Sequence, residues 1–308
     1  MKDTFVIGSR GSKLALTQSE WVKAKLGLVN PSVQIRIEVL KTSGDVKTEP
    51  LSVIGGKGVF TKELEEALLD QRIDIAVHSL KDLPTTLPVG LSIAAICERE
   101  DARDALVLGR GNENEATSLE SLPQRSVIGT SSPRRLAQLK HLRPDLQIKD
   151  LRGNVDTRLR KLDEGQYDAL ILASAGLRRL NLEHRITASI SPELILPAVG
   201  QGAIGIETRA DDEASLSLVA KLHHQPTSLA CFAERALLRA LGGGCELPIA
   251  GHAVVVYGEL RLDGLIAAKD GSEILRDHIS GPSLQGETLG QQLAERLLAK
   301  GGARLLSN

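Results

Sequence analysis

Arg134 and Arg135 stand directly behind Ser132-Pro133, where the sequence reads as the first turn of a helix. Serine is a good helix N-cap, and proline suits the first helical position because its missing N–H costs nothing there. Two cations in that turn oppose the helix dipole, which favours negative groups at this end. Arginines placed against that preference either serve an anionic ligand or are tolerated by solvent. Residues behind other expected strands carry related chemistry. Arg10, Gly11 and Ser12 follow the first strand, Lys81 and Asp82 follow another with Pro84 stiffening the exit, and Arg152, Gly153 and Asn154 precede Arg158 by one turn. In open α/β sheets, ligands collect at the carboxyl ends of strands, where helix N-termini offer free N–H groups. Asp82 taken alone is an exposed turn residue as readily as a catalytic acid.

Two glycine-rich segments carry further candidates. Gly55-Gly56-Lys57-Gly58 is not a P-loop, because Leu51 occupies the first glycine position and no Ser or Thr follows Lys57. It reads as a flexible turn, with Phe60 beside it as a core residue or a ligand platform. Cys245 follows Gly242, Gly243 and Gly244 and precedes Glu246-Leu247-Pro248. A lone cysteine is by default a small buried hydrophobe. The glycines instead let the backbone approach something closely and leave the thiol unshielded, so a nucleophilic or covalently modified cysteine stays open. Cys97, Cys231 and Cys245 form no CxxC pair, which indicates neither a disulfide framework nor a zinc site. His223 and His224 are adjacent on an expected helix and point to different faces, so metal binding there is not expected.

The net charge of the chain is -1, yet Arg125 to Arg185 holds ten arginines and three lysines against seven acidic residues. Arginine suits forked binding of carboxylate or phosphate, although a solvated basic face would have the same composition. Six aromatic residues in all argue against a base-stacking nucleic-acid surface. No apolar run is long enough for a transmembrane helix, and the first twelve residues read as a strand and turn without the core of a signal peptide. A cytoplasmic setting is expected.

These residues need a scaffold, and 308 residues imply two or three domains. Strands are expected at Thr4–Gly8, Val33–Leu40, Ile73–His78 and Leu91–Cys97, with helices at Lys13–Leu26, capped by Ser12, and Thr61–Asp70. Lys41 to Lys57 reads as a mobile loop. The alternation restarts with strands at Ala105–Leu108, Ser126–Gly129, Leu146–Asp150 and Ala169–Ala173 and helices at Pro133–Leu142 and Val155–Asp163. The expected class is α/β with two similar domains, mainly parallel sheets, and links near Glu98–Arg103 and Pro197–Gln201. Beyond them, helices at Asp211–His223 and Ser228–Leu241, strands turning at Gly258 and a closing helix from Leu284 to Lys300 read as a small α+β domain.

Taken together, these stretches resemble one family. Gly8-Ser-Arg10-Gly-Ser12, Lys41-Thr-Ser-Gly-Asp45, Gly55-Gly-Lys57-Gly-Val-Phe60 and His78-Ser-Leu-Lys81-Asp82-Leu-Pro84 look like the first domain of the porphobilinogen deaminases. Gly129-Thr-Ser-Ser132-Pro-Arg134-Arg135, Leu151-Arg-Gly-Asn-Val155 and Ala175-Gly-Leu-Arg-Arg179 look like the second. Pro197-Ala-Val-Gly-Gln201-Gly resembles the return crossing, and Gly243-Gly-Cys245-Glu-Leu-Pro248 the cofactor loop.

The resemblance implies two lobes similar to periplasmic binding proteins. The first is discontinuous, at 1–100 plus 200–222, the second spans 101–199, and a third domain spans 223–308. It also implies a dipyrromethane joined by a thioether to Cys245, with no metal, and head-to-tail condensation of four porphobilinogen molecules with loss of ammonia, releasing hydroxymethylbilane. Cofactor and product together bring on the order of a dozen carboxylates, which forked arginine pairing would answer. By motif position Asp82 would be the catalytic carboxylate. Lys81, Ser132, Arg134, Arg135, Arg152 and Arg158 would hold cofactor carboxylates. Arg10, Ser12, Arg179 and Gln201 would serve the substrate, and the loop with Lys57 and Phe60 would cover the site. The family further implies a monomer whose product passes to uroporphyrinogen-III synthase, with neither membrane nor nucleic acid as partner. Gly242, Val53 and Thr208 depart from common family residues. A non-catalytic two-lobed binding protein for a small polyanion is the alternative; it would not explain Cys245 in a glycine loop or Asp82 among cations.

Overall fold

A computed structural model describes residues 2–42, 61–109, 116–244 and 247–307. The chain divides into two compact units, one of residues 1–100 with 203–229, the other of residues 101–202 with 230–308.

The first unit holds a five-stranded sheet of β1 (Thr4–Arg10), β2 (Gln34–Leu40), β3 (Ile75–Ser79), β4 (Leu91–Ile96) and β10 (Ile204–Arg209), ordered β2-β1-β3-β10-β4. β1 is apolar through its middle because both of its faces are covered. Phe5 and Ile7 pack with Val22 and Leu26 of α1 (Lys13–Val29) on one face, and Val6 packs with Leu64 and Leu68 of α2 (Lys62–Leu69) on the other. Gly8 must lack a side chain, since a Cβ there would lie 2.3 Å from Ile73 Cδ1. Helix α6 (Glu213–Val219) closes the α1 face with Leu218 and Val219.

The second unit repeats the plan with β5 (Asp104–Leu108), β6 (Val127–Gly129), β7 (Gln147–Lys149), β8 (Ala169–Ala173) and β9 (Ala188–Ile190), ordered β7-β6-β8-β5-β9. Helix α3 (Pro133–Leu142) covers one face through Leu139, and α4 (Val155–Asp163) and α5 (Ser174–Arg179) cover the other through Leu159, Leu162 and Leu177. The α/β class is as expected, but each sheet has two parallel and two antiparallel pairings. The antiparallel pairs come from β10 and β5, each inserted between two strands of its sheet. β9 and β10 have no counterpart among the expected strands.

The same unit carries an antiparallel sheet of β11 (Ile249–Val256), β12 (Glu259–Ala267) and β13 (Ile274–Pro282), with α8 (Gly286–Leu297) and the part of α7 (Gln225–Ala240) from Ala230 on packed into its core. Tyr257 and Gly258 both take positive φ, the two-residue turn expected at Gly258. The closing helix, expected to reach Lys300, passes at Leu298–Gly302 into a π turn, where Gly301, at φ 102°, ends it before α9 (Ala303–Ser307). Ala137 of α3 shares a small core with Ala250 and Leu265 of this sheet.

Candidate active site

In the first unit, the ends of β1 and β3 supply a cleft lined by Arg10, Ser12, Gln18, His78, Ser79 and Asp82, among others. Ser12 caps α1 as expected, accepting from Ala15 N at 3.3 Å. The Gln18 side-chain amide donates to Ser79 Oγ at 2.9 Å, which ties the helix to the end of β3. Asp82 ends a single 3-10 turn, Leu80–Asp82. Leu80 and Leu83 on either side are buried, and Leu80 N donates to Ala203 O at 3.0 Å. Lys81 and Asp82 are thus held part-exposed between two buried anchors. A Cβ on Gly205 would meet Leu80 Cδ1 at 2.8 Å, so glycine makes room for this turn.

A buried polar cluster adjoins the cleft. His78 Nε2 lies 3.0 Å from Glu207 Oε2, both side chains almost fully enclosed. Glu65 of α2 faces the same pair; burial, with Glu207 nearby, pushes its carboxyl up against the opposing effects of Thr61 and His78. Glu207 lies diagonal to His78 on the neighbouring strand, and the alternation of β3 and β10 turns both toward α2.

In the second unit, Ser132 accepts from Arg135 N at 3.5 Å and Pro133 starts α3, as the sequence implies. The two arginines are neither exposed nor idle. Arg134 Nη1 donates to Asp104 Oδ2 at 2.8 Å and to Leu196 O at 2.8 Å. Arg135 Nη2 donates to Asp104 Oδ1 at 2.7 Å, and Nη1 to Ile171 O at 2.9 Å. Burial alone would push the Asp104 carboxyl up; the two guanidiniums outweigh it and hold the group far below the usual carboxylate range. Arg135 Nε is buried without a hydrogen-bond partner among the described residues. Gln201, with no exposed surface, donates through Nε2 to Ala102 O at 2.7 Å and to Asp104 Oδ1 at 2.8 Å.

The next strand-to-helix turn carries Arg152, whose Nε donates to Asp150 Oδ2 at 2.7 Å, and Arg158, whose Nε donates to Gly153 O at 2.7 Å. Gly153 has φ 106°, and a Cβ there would lie 2.8 Å from Thr157 Cγ2. Arg179 ends α5 and donates to Gly202 O at 2.6 Å.

The structure therefore brings Arg10, Ser12 and Asp82 to one cleft with Lys81 in the same turn, and gathers Arg134, Arg135 and Gln201 about Asp104, with Ser132 capping the helix that carries the arginines. Cys245, Lys57, Phe60 and Val53 lie outside the described residues. Thr208 is buried, with its hydroxyl donating to Arg209 O. Asp104, Glu207 and Glu65 were not singled out from the sequence. A lone acidic residue opening an apolar strand, as in Asp104-Ala-Leu-Val-Leu, is the one signal that points to a buried counter-ion.

Two family models span nearly the whole chain: "Porphobilinogen deaminase, dipyromethane cofactor binding domain" over residues 5–217 and "Porphobilinogen deaminase, C-terminal domain" over residues 228–299. The chain belongs to the porphobilinogen deaminase family. Curated relatives named porphobilinogen deaminase agree. The one from Pelobacter propionicus is 51% identical, covering 97% of this chain and 95% of its own length, and that from Synechococcus elongatus is 52% identical, covering 97% and 93%. Among solved structures, a probable amino-acid ABC transporter extracellular-binding protein from Bacillus subtilis aligns at 12% identity and a TM-score of 0.42, covering 72% of this chain and 90% of its own. The porphobilinogen deaminase cofactor is a polycarboxylate, and the donor set fits it. Among the described residues, Arg135 Nε is a buried donor without an acceptor, in a cluster holding two cations to one anion.

Proposed function

We propose that this chain is the transferase of tetrapyrrole biosynthesis that condenses four porphobilinogen molecules head to tail, with loss of ammonia, to give hydroxymethylbilane. The match to both porphobilinogen deaminase domains, across almost the whole chain, carries this reading. It disfavours the non-catalytic polyanion binder. When bound, the dipyrromethane supplies the pyrrole carbon on which the first new bond forms. Cys245 would hold it through a thioether.

Asp82 sits in a cleft with Arg10 and Ser12, and this supports a division of labour. Arg10 and Ser12 would bind a substrate carboxylate, with Arg179 and Gln201 assigned to the same task by motif. The Asp82 carboxylate would face the positive charge that develops as ammonia leaves, then accept the ring proton displaced when the carbon–carbon bond forms. Lys81, Ser132, Arg134, Arg135, Arg152 and Arg158 would hold cofactor carboxylates, and Lys57 and Phe60 would belong to a covering loop. No described helix is long and apolar enough to cross a membrane. A monomer in the cytoplasm, with domains at 1–100 plus 200–222, 101–199 and 223–308, would hand its product to uroporphyrinogen-III synthase.

The deciding experiment is the intact mass of the denatured protein beside that of Cys245→Ser. A mass excess of two linked pyrroles, absent from the variant, is expected. An unmodified chain that also fails to load when given porphobilinogen would remove the enzymatic reading.

A further inference from the structure

The buried charges around Asp104 do not balance. Arg134 and Arg135 are permanent cations, and both of their ion pairs run to the single carboxylate of Asp104. All three side chains are at least nine-tenths enclosed. Asp104 meets each guanidinium end-on, one oxygen to each, so neither arginine is closed by a forked pair. Two other Arg–Asp pairs in this unit are forked. Asp101 accepts from both Nε and Nη2 of Arg103, at 2.9 and 2.8 Å, and Asp145 from both Nε and Nη2 of Arg143, at 2.7 and 2.7 Å. The Asp104 cluster instead keeps donor capacity, with Arg135 Nε buried and without a hydrogen-bond partner among the described residues. Gln201 donates to the oxygen that binds Arg135, fixing the carboxylate from a third side.

We infer that Asp104 is a positioning residue, aligned by Gln201, which holds Arg134 and Arg135 in place one negative charge short of neutrality, so that a pyrrole carboxylate completes the cluster. The inference rests on the reading that these arginines hold cofactor carboxylates. Without the Asp104 charge, two buried guanidiniums repel one another, and among the described residues each is held by a backbone carbonyl, Leu196 O for Arg134 and Ile171 O for Arg135.

The test is Asp104→Asn, which preserves shape and removes the anion. The fraction of chains carrying cofactor is read by intact mass, and KM and kcat of the loaded chains are measured well below the unfolding temperature. Loading is expected to fall, and KM to rise, by about tenfold or more, with kcat of loaded chains changed far less. Wild-type loading and KM with only a lowered melting temperature would overturn the inference. If Asp104→Asn does not fold, Gln201→Leu keeps all three charges and removes the bond that aligns Asp104, together with the one to Ala102 O; its readout is cofactor loading, since Gln201 is also assigned to the substrate. Impaired loading supports the inference there and wild-type loading overturns it. Arg135→Gln separates the two readings. Full loading of that variant would remove the carboxylate role of the arginine itself, whereas poor loading beside a normal Asp104→Asn variant would remove the Asp104 inference alone.

Discussion

Asp82 and Glu65 are both carboxylates near one cleft, and their surroundings give them different work. Asp82 sits part-exposed between buried leucines, so replacing it disturbs little packing. Asp82→Asn is expected to keep its cofactor by intact mass while turnover falls at least a hundredfold in a steady-state assay. Glu65 is buried, and its carboxyl is pushed above the ordinary value of 4.5 by burial and by Glu207. Folding therefore favours its protonated form. That contribution is complete below pH 4.5 and is lost as pH rises through the raised folded value. Glu65→Gln, which keeps the neutral shape at every pH, should melt above the wild-type protein at pH 7 to 8, with the difference vanishing near pH 4. A constant difference across that range would contradict the assignment.

Helix ends and helix crossings set the tolerances of the scaffold. Ser132 caps α3 and so fixes the turn that carries Arg134 and Arg135. Ser132→Ala should cost about 1 kcal/mol in denaturant unfolding. Gly290 of α8 lies against the α7 backbone, where a Cβ would sit 2.3 Å from Ala233 O and 2.9 Å from Ala236 Cβ. Gly290→Ala should therefore cost about 1–3 kcal/mol by the same measurement, because the two helices must separate. The capping serine and Pro133 were legible from residue type alone, since capping is local chemistry. The close crossing was not, because nothing in the sequence around Gly290 says which backbone approaches it.

At the scale of the molecule, two five-stranded sheets share one plan, each with an inserted antiparallel strand, β10 in one and β5 in the other. Asp104 opens β5, and Gln201 lies shortly before β10. The residues that enter and leave the second lobe along the chain thus meet in one hydrogen-bonded cluster with α3. Replacing both Arg134 and Arg135 with leucine is expected to abolish cofactor retention, measured by intact mass. A fully loaded double variant would contradict the carboxylate role.

The α/β class, most helix spans and the cation-bearing turns behind the strands were determined by the sequence itself, because period, capping and turn chemistry act over a few residues. Helices Pro133–Leu142 and Val155–Asp163 and strand Ala169–Ala173 match their patterns residue for residue. Only the tertiary structure decided where the charges go. Composition reads the arginine-rich stretch as an anion site or a solvated face, and it cannot show that Asp104, thirty residues upstream, pairs with both Arg134 and Arg135. Nor can it show that His78, Glu207 and Glu65 share one buried face. Such pairings depend on which strands become neighbours. That is settled by burying apolar surface across the whole sheet, where long-range contacts outweigh any local preference.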